Sequence, residues 1–438
     1  MTSWLTTLRN IYQTKELRTR LLNTFLYVII FRIGTFIVLP GLDPTRIRAT
    51  SSAFLQLLDT LLNSSSLRTS SIFSLGIAPY ISASIITQIT SLTIPYFQRL
   101  KKEGPAGRNQ LNQITRYFTL AIAPLQCSGY IAYLVNSQAG SGLVMIPKFY
   151  FIPLSILILT TGTIFCVWLA DRISAKGLGS GSSILITASI VSGLPGALYI
   201  EYDNTSILFF ILELIILLAI IAITITFMQG VRKIPLQYAS QMAAPQASYR
   251  GARQYIPIGL NTAGVMPIIF AQTLTAMPLI GAKWLAKRSS RAAAVAAILQ
   301  NQYSWQYNLI LGTLIFMGSF FYAAIFVNAN EMSDELKRSN GFIPGIKTGR
   351  NTAEYIDSIL SKITFPGSIF LVLVALTPVF AFKVVHTTEK MSRFFGGTSL
   401  LITIGVILDI GQRIQSHLFS SYYSSMLQDS HPTLTNDK

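Results

Sequence analysis

The stretch Ser71-Ile72-Phe73-Ser74-Leu75-Gly76-Ile77-Ala78-Pro79-Tyr80-Ile81-Ser82-Ala83-Ser84-Ile85-Ile86 is apolar enough to enter a bilayer and yet is built to break. Gly76 and Pro79 interrupt a helix here, because proline lacks a backbone donor and its ring clashes with the preceding turn. Beyond Pro79 the pattern is helical again. Ile81 and Ile85 fall one turn apart on one face, among small Ser and Ala neighbours. Periodicity alone allows a helix-packing face, where small residues let two backbones approach. It equally allows a face with a functional duty.

Outward from this stretch the chain stays greasy. Of its 438 residues 51% are hydrophobic and 12% charged, about half the charged share of a soluble domain. A bilayer hides apolar surface outside as well as inside, so the chain reads as an integral membrane protein. A span takes roughly 17–25 mostly apolar residues. That rule places ten helices, near 22–40, 76–95, 115–136, 150–170, 182–199, 207–228, 262–282, 306–327, 364–382 and 394–412. Residues 4–20 read as a short surface helix before the first span, and 54–73 as a short or re-entrant segment broken by NSSS at 63–66.

The 34 Lys and Arg outnumber 17 Asp and Glu, for a net charge of +17. In a soluble protein that excess raises nucleic-acid binding. In a membrane protein it follows from basic residues collecting in cytoplasmic loops. Most of them fall on one side if both chain ends are cytosolic. The outer cluster Lys283, Lys287, Arg288 and Arg291 is the exception. Two inner loops are long, 229–261 and 328–363, and loops of that length more often carry function than merely connect.

Several chemistries have no footing here. There is no Walker A pattern or HExxH, and Cys127 and Cys166 both lie in apolar segments without metal-ligand spacing. The run Gly177-Leu178-Gly179-Ser180-Gly181 lacks dinucleotide spacing. It reads as a loop into a helix capped by Ser182 or Ser183. Intramembrane charge, the usual mark of ion coupling, reduces to Arg32, Glu213 and Asp409. The two acids sit near enough to helix ends to snorkel, and Arg32 needs a carbonyl or a neighbouring helix. A secondary transporter normally shows more such charge, although ten broken helices also suit that class. A membrane protease would need a nucleophile paired with a base inside the spans, and none is evident.

The stretch LGIAPYISASIITQIT at 75–90 resembles the second-helix signature of the SecY family. FRIGTFIVLPG (31–41), KKEGPAGRNQLNQITRY (101–117), GLGSGSSILITASIVSGLP (177–195), LNTAGVMPIIFA (260–271), ELKRSNGFIPGIKTGRNTAEYID (335–357) and FGGTSLLITIGVILD (395–409) agree in order and spacing. The resemblance implies an all-α polytopic fold. Ten helices form two pseudo-symmetric five-helix halves, 22–199 and 200–412, around an hourglass pore, with 1–21 and 413–438 cytosolic. It implies a pore ring of Ile81, Ile85, Ile186, Ile190, Ile269 and Ile402. A plug helix maps to 60–73, where Ser64, Ser65, Leu67, Arg68, Ser71, Ile72 and Phe73 lie and where the family often has paired glycines at 64–65. A lateral gate maps its polar cluster to Ser91, Gln126 and Asn261, with Ser91 standing where threonine is usual.

The same resemblance makes the long inner loops docking sites for the ribosome and the SecA motor ATPase. Arg232, Lys233, Arg250 and Arg253 lie in the first loop, and Lys337, Arg338, Lys347 and Arg350 in the second. Lys347 replaces an arginine common in bacterial relatives, which keeps the charge and loses the planar fork. The resemblance implies no cofactor and no catalysis. The expected partners are SecE and SecG membrane subunits, unfolded secretory and membrane-protein substrates, and membrane lipids. The expected location is the bacterial inner membrane, with a plastid membrane as the alternative.

Overall fold

The computed structural model describes residues 14–43, 70–136, 144–238, 254–275 except 263 and 273, 297–301 except 300, and 303–430 except 386 and 393. Its helices are α1 (Lys15–Gly34), α2 (Ala78–Thr93), α3 (Pro95–Lys102), α4 (Pro105–Asn136), α5 (Lys148–Lys176), α6 (Gly181–Asn204) and α7 (Ile207–Met228). After them come α8 (Trp305–Phe326), α9 (Ala329–Arg338), α10 (Arg350–Phe380), α11 (Glu389–Ser392) and α12 (Gly397–Ser430). A shorter helical segment covers 266–272.

Helix α7 shows which solvent this fold is made for. Its buried residues are Glu213, Leu217 and Thr224, whereas Ile207, Leu208, Phe209, Ile215, Leu218 and Ile223 are exposed. A soluble helix turns its apolar stripe inward. Here the polar groups are turned inward and the aliphatic ones outward, as hydrocarbon surroundings require. Six stretches among the described residues are long and apolar enough to cross a membrane: Lys148–Lys176, Gly181–Asn204, Ile207–Met228, Trp305–Arg338, Arg350–Val385 and Gly397–Phe419. The chain is a polytopic, essentially all-α membrane protein. Helices also stand at the other four positions where the hydropathy places spans, in α1, α2, α4 and 266–272. Helix α2 has 16 residues, short of the roughly 20 that cross unaided.

Several boundaries differ from the sequence reading. The first helix is continuous from Lys15, with no break between a surface helix and a span, and it stops at Gly34 rather than near 40. Pro79 does not break a helix; it lies in the first turn of α2, where the missing N–H has no partner to lose. Ser182 and Ser183 lie within the first turn of α6 and do not precede it; Ser180 does, and its hydroxyl meets those of Ser182 at 3.2 Å and Ser183 at 3.3 Å. Helix α6 starts at Gly181, and the Ile184 amide donates to the Ser180 carbonyl at 3.0 Å. The predicted tail continues α12 as helix to Ser430.

The chain divides into two compact units, Met1–Pro195 with Val406–Lys438, and Gly196–Gly405. The first unit packs Leu39, Leu42, Leu75, Cys127, Tyr130, Ile131, Phe151 and Leu159 into one core. Helix α1 is pinned to the α5–α6 turn, because Thr24 accepts from the Leu178 amide at 3.1 Å and Asn23 donates to the Lys176 carbonyl at 3.3 Å. Arg32 donates to Thr35 at 3.3 Å and lies 4.9 Å over the Phe36 ring, so it is satisfied within its own helix end.

In the second unit the two long loops are folded. Strands β1 (Val231–Pro235) and β3 (Tyr255–Gly259) pair antiparallel, and β2 (Gln237–Tyr238) pairs with β4 (Gly341–Phe342). Helix α10 begins at Arg350, nearly four turns before the expected span. Ile234, Leu236, Ile258, Leu336, Ile343, Ile356, Leu360 and Ile363 form a common core beneath the two ribbons and α9. Asn328 caps α9 by accepting from the Asn330 amide at 3.2 Å, and Ser333 donates to the Gly349 carbonyl at 2.7 Å.

Candidate functional site

The broken stretch is the best-held part of the first unit. Residues 70–77 are non-helical and buried, apart from Ile72 at intermediate exposure. An isolated antiparallel bridge joins Ser71 to Val38. The Leu39 amide donates to the Ser70 carbonyl and the Ile72 amide to the Ile37 carbonyl, each at 2.9 Å. Phe73 stacks on Phe31 at 6.0 Å and on Phe165 at 5.7 Å. Two glycines make room: a Cβ on Gly34 would lie 1.9 Å from the Phe73 ring, and one on Gly162 would lie 2.4 Å from the Ile72 carbonyl oxygen. Gly76 turns with φ of 50°, a conformation that glycine adopts without cost, and α2 follows at once.

Ser71, Ile72 and Phe73, read as the end of a plug helix, are therefore extended and turn-like, wedged between α1 and α5. Backbone bonding to 37–39 takes the amide and carbonyl groups that a helix would need. Ser64, Ser65, Leu67 and Arg68 lie outside the described residues, as does the rest of 60–69.

Four predicted ring residues sit in the first unit. On α2, Ile81 is half-buried and Ile85 buried; one turn apart on α6, Ile186 is half-buried and Ile190 buried. In the second unit Ile269 belongs to 266–272, and Ile402 is buried on α12. A bond missed in the sequence joins these last two elements, with Gln272 Nε2 donating to Thr398 Oγ1 at 3.3 Å. Thr398 lies inside the quoted FGGTSLLI run, so the signal was present, but its partner is 126 residues away.

Of the gate residues, Ser91 turns its hydroxyl back to the Gln88 carbonyl at 2.6 Å, within α2. Gln126 donates from α4 to Ser82 at 3.1 Å, leaving its own Oε1 buried without a partner. A second hydroxyl bridge, Thr115 to Thr87 at 3.1 Å, ties the same two helices. Asn261 has both side-chain polar atoms buried and without a partner among the described residues.

The basic residues assigned to docking are exposed where described. Arg232 and Lys233 lie on β1, with the Lys233 Nζ 4.7 Å from the Tyr255 ring centre. Lys337 and Arg338 end α9, Lys347 sits in the turn before α10, and Arg350 opens α10 in an ion pair with Glu354 at 2.9 Å. Arg250 and Arg253 lie outside the described residues.

The two acids expected to snorkel behave differently. Asp409 does reach a partial surface, pairing with Arg413 at 3.0 Å. Glu213 is buried beside Glu201, which is fully buried too. Glu201 accepts from the Thr388 amide at 3.1 Å and from its hydroxyl. Glu201 passed unnoticed in the sequence because it ends an apolar run, where an acid ordinarily meets water.

The SecY family model matches residues 71–411. The Escherichia coli K12 protein translocase subunit SecY is 36% identical over 423 residues, spanning 94% of each chain. Its counterpart from Aquifex aeolicus is 34% identical over 435 residues, spanning 96% of this chain and 99% of that one. Among solved structures, that of a protein-conducting channel superposes with a TM-score of 0.62 at 15% identity, covering 96% of this chain and 95% of the other. Sec61 in the canine ribosome-channel complex gives 0.56 at 14% identity, with the same coverage.

Proposed function

This chain belongs to the SecY family, and we infer that it is the channel subunit of a Sec translocon, conducting unfolded polypeptide across a membrane and releasing apolar segments sideways into lipid. The observation that carries this is likeness over 94–96% of this chain and 94–99% of its relatives. The subunit performs no covalent chemistry. Energy for transport comes from a partner.

In this reading ten helices cross the bilayer with both chain ends on the cytosolic side of a bacterial inner membrane. The polypeptide passes a waist of Ile81, Ile85, Ile186, Ile190, Ile269 and Ile402. An apolar ring offers an ion nothing in exchange for its hydration shell, so ions stall. Isoleucine also carries no charge to hold a passing chain. The stretch 60–73 closes the outer funnel, and its end at 70–72 is held by bonding to 37–39. Ser91, Gln126 and Asn261 form the polar seam of the gate. Interhelical hydrogen bonds in membranes contribute only about 0.6–2 kcal/mol each, an amount that a hydrophobic signal segment can outcompete.

The exposed cations on β1, at the end of α9 and before α10 form the docking face for ribosome and SecA, with RNA phosphate or acidic side chains as counterparts. Lys347 contributes a point charge without bidentate geometry. SecE and SecG complete the membrane assembly.

The test is a crosslink. In a chain with Cys127 and Cys166 replaced by Ser, Ile81→Cys and Ile186→Cys should each form adducts with a stalled secretory chain. Leu218→Cys on the exposed face of α7 should not. Adducts absent from both positions, or equal at Leu218→Cys, would overturn the pore assignment.

A further inference from the structure

Helices α8 and α10 run antiparallel. A Cβ on Gly312 would lie 3.3 Å from Val372, and Phe316 meets Phe365 edge-on at 6.0 Å. Between them lies an open groove of about 710 Å³, within the roughly 300–1,000 Å³ typical of small-molecule sites. Its walls are mostly apolar, with Leu309, Phe316 and Leu376 among the lining residues, and Thr313 turns its hydroxyl back to the Leu309 carbonyl at 2.8 Å. Trp305, which opens α8, Asn308 one turn on, and Lys383, just past α10, gather at one end, where the Asn308 amide is spent on the Ser304 carbonyl at 2.7 Å.

The backbone there is specialised. The helix changes to a single π-turn over Ala381–Val385, and such widened turns recur at functional sites. The same region is clamped from behind, because Phe382 stacks on Tyr303 at 4.2 Å and the Tyr303 hydroxyl meets Ser392 at 3.2 Å. Lys383 is exposed and makes no ion pair among the described residues. An apolar trough that ends in a lone cation beside an indole has the polarity of an amphiphile with one long tail and an anionic head. Indoles settle at the headgroup level, and lysine attracts anionic lipid there.

We propose that this groove is a binding site for an anionic phospholipid, with an acyl chain along α8 and α10 and its phosphate at Lys383 and Trp305. A protein helix is the less suitable occupant, since it is about 10 Å across and has no use for a single cation at one end. The proposal is independent of the channel reading.

Trp305 is itself the probe. A full-length chain with Trp4→Phe, Trp168→Phe and Trp284→Phe keeps Trp305 alone. It is reconstituted in phosphatidylcholine nanodiscs containing graded amounts of brominated phosphatidylglycerol or brominated phosphatidylcholine. Half-quenching should need roughly fivefold less of the anionic lipid, the ratio for one lysine near a headgroup. Lys383→Gln should erase that preference and Lys383→Arg should keep it. Equal quenching by both lipids, a preference that survives Lys383→Gln, or no quenching because protein covers the groove would each overturn the proposal.

Discussion

At the scale of single residues, glycine decides where the broken stretch can lie. Gly162 faces backbone: its missing Cβ would stand 2.4 Å from the Ile72 carbonyl oxygen, which cannot rotate away as a side chain could. Gly162→Ala should therefore lower the unfolding midpoint in detergent, at a cost of about 1–3 kcal/mol typical of overpacking. Gly129, in the middle of α4, has nothing within 4 Å of its Cβ position. Gly129→Ala should raise the same midpoint, by up to about 1 kcal/mol from helix propensity. Equal shifts for the two would mean that the fit around Ile72 and Phe73 is not what holds 70–77. Gly162 does not stand out in the sequence, because its neighbour across the gap, Ile72, comes from a distant segment.

At the scale of elements, the described parts of the two long loops, 229–261 and 328–363, form one folded layer. Their apolar residues, Ile234, Ile258, Leu336, Ile343 and Ile356, are scattered among charges and show no long period. Ile356 is completely buried at their centre, in the second turn of α10. Ile356→Ala should cost about 2–5 kcal/mol locally, as buried large-to-small changes do. Hydrogen exchange should then quicken at the amides of 231–235 and 255–259. Unchanged protection there would show that the β1–β3 ribbon stands without the core beneath it. If the basic residues on this layer dock a partner, its rigidity is what keeps their spacing.

At the scale of the molecule, the channel reading predicts a leak. Ile85→Gly combined with Ile190→Gly should raise resting ion conductance in planar bilayers, because the waist would lose two of its aliphatic side chains. Conductance equal to that of the parent chain would remove those two positions from the seal. Glu201 and Glu213 belong to this scale as well. Glu201 ties α6 to the segment before α11 through Thr388, Glu213 of α7 is buried beside it, and no other charged side chain among the described residues is buried.

The amino-acid sequence by itself determined the membrane class, the approximate place of the long apolar helices and the family, because hydrophobic length and ordered local motifs are properties of contiguous residues. It located Pro79 and the isoleucine pairs for the same reason. Only the tertiary structure decided that 70–73 pair with 37–39, that Glu213 turns inward to Glu201, that the long loops share a core, and that Trp305 and Lys383 close one groove. Each of these joins residues far apart in the chain, and their meeting depends on how whole helices pack, which no local pattern encodes.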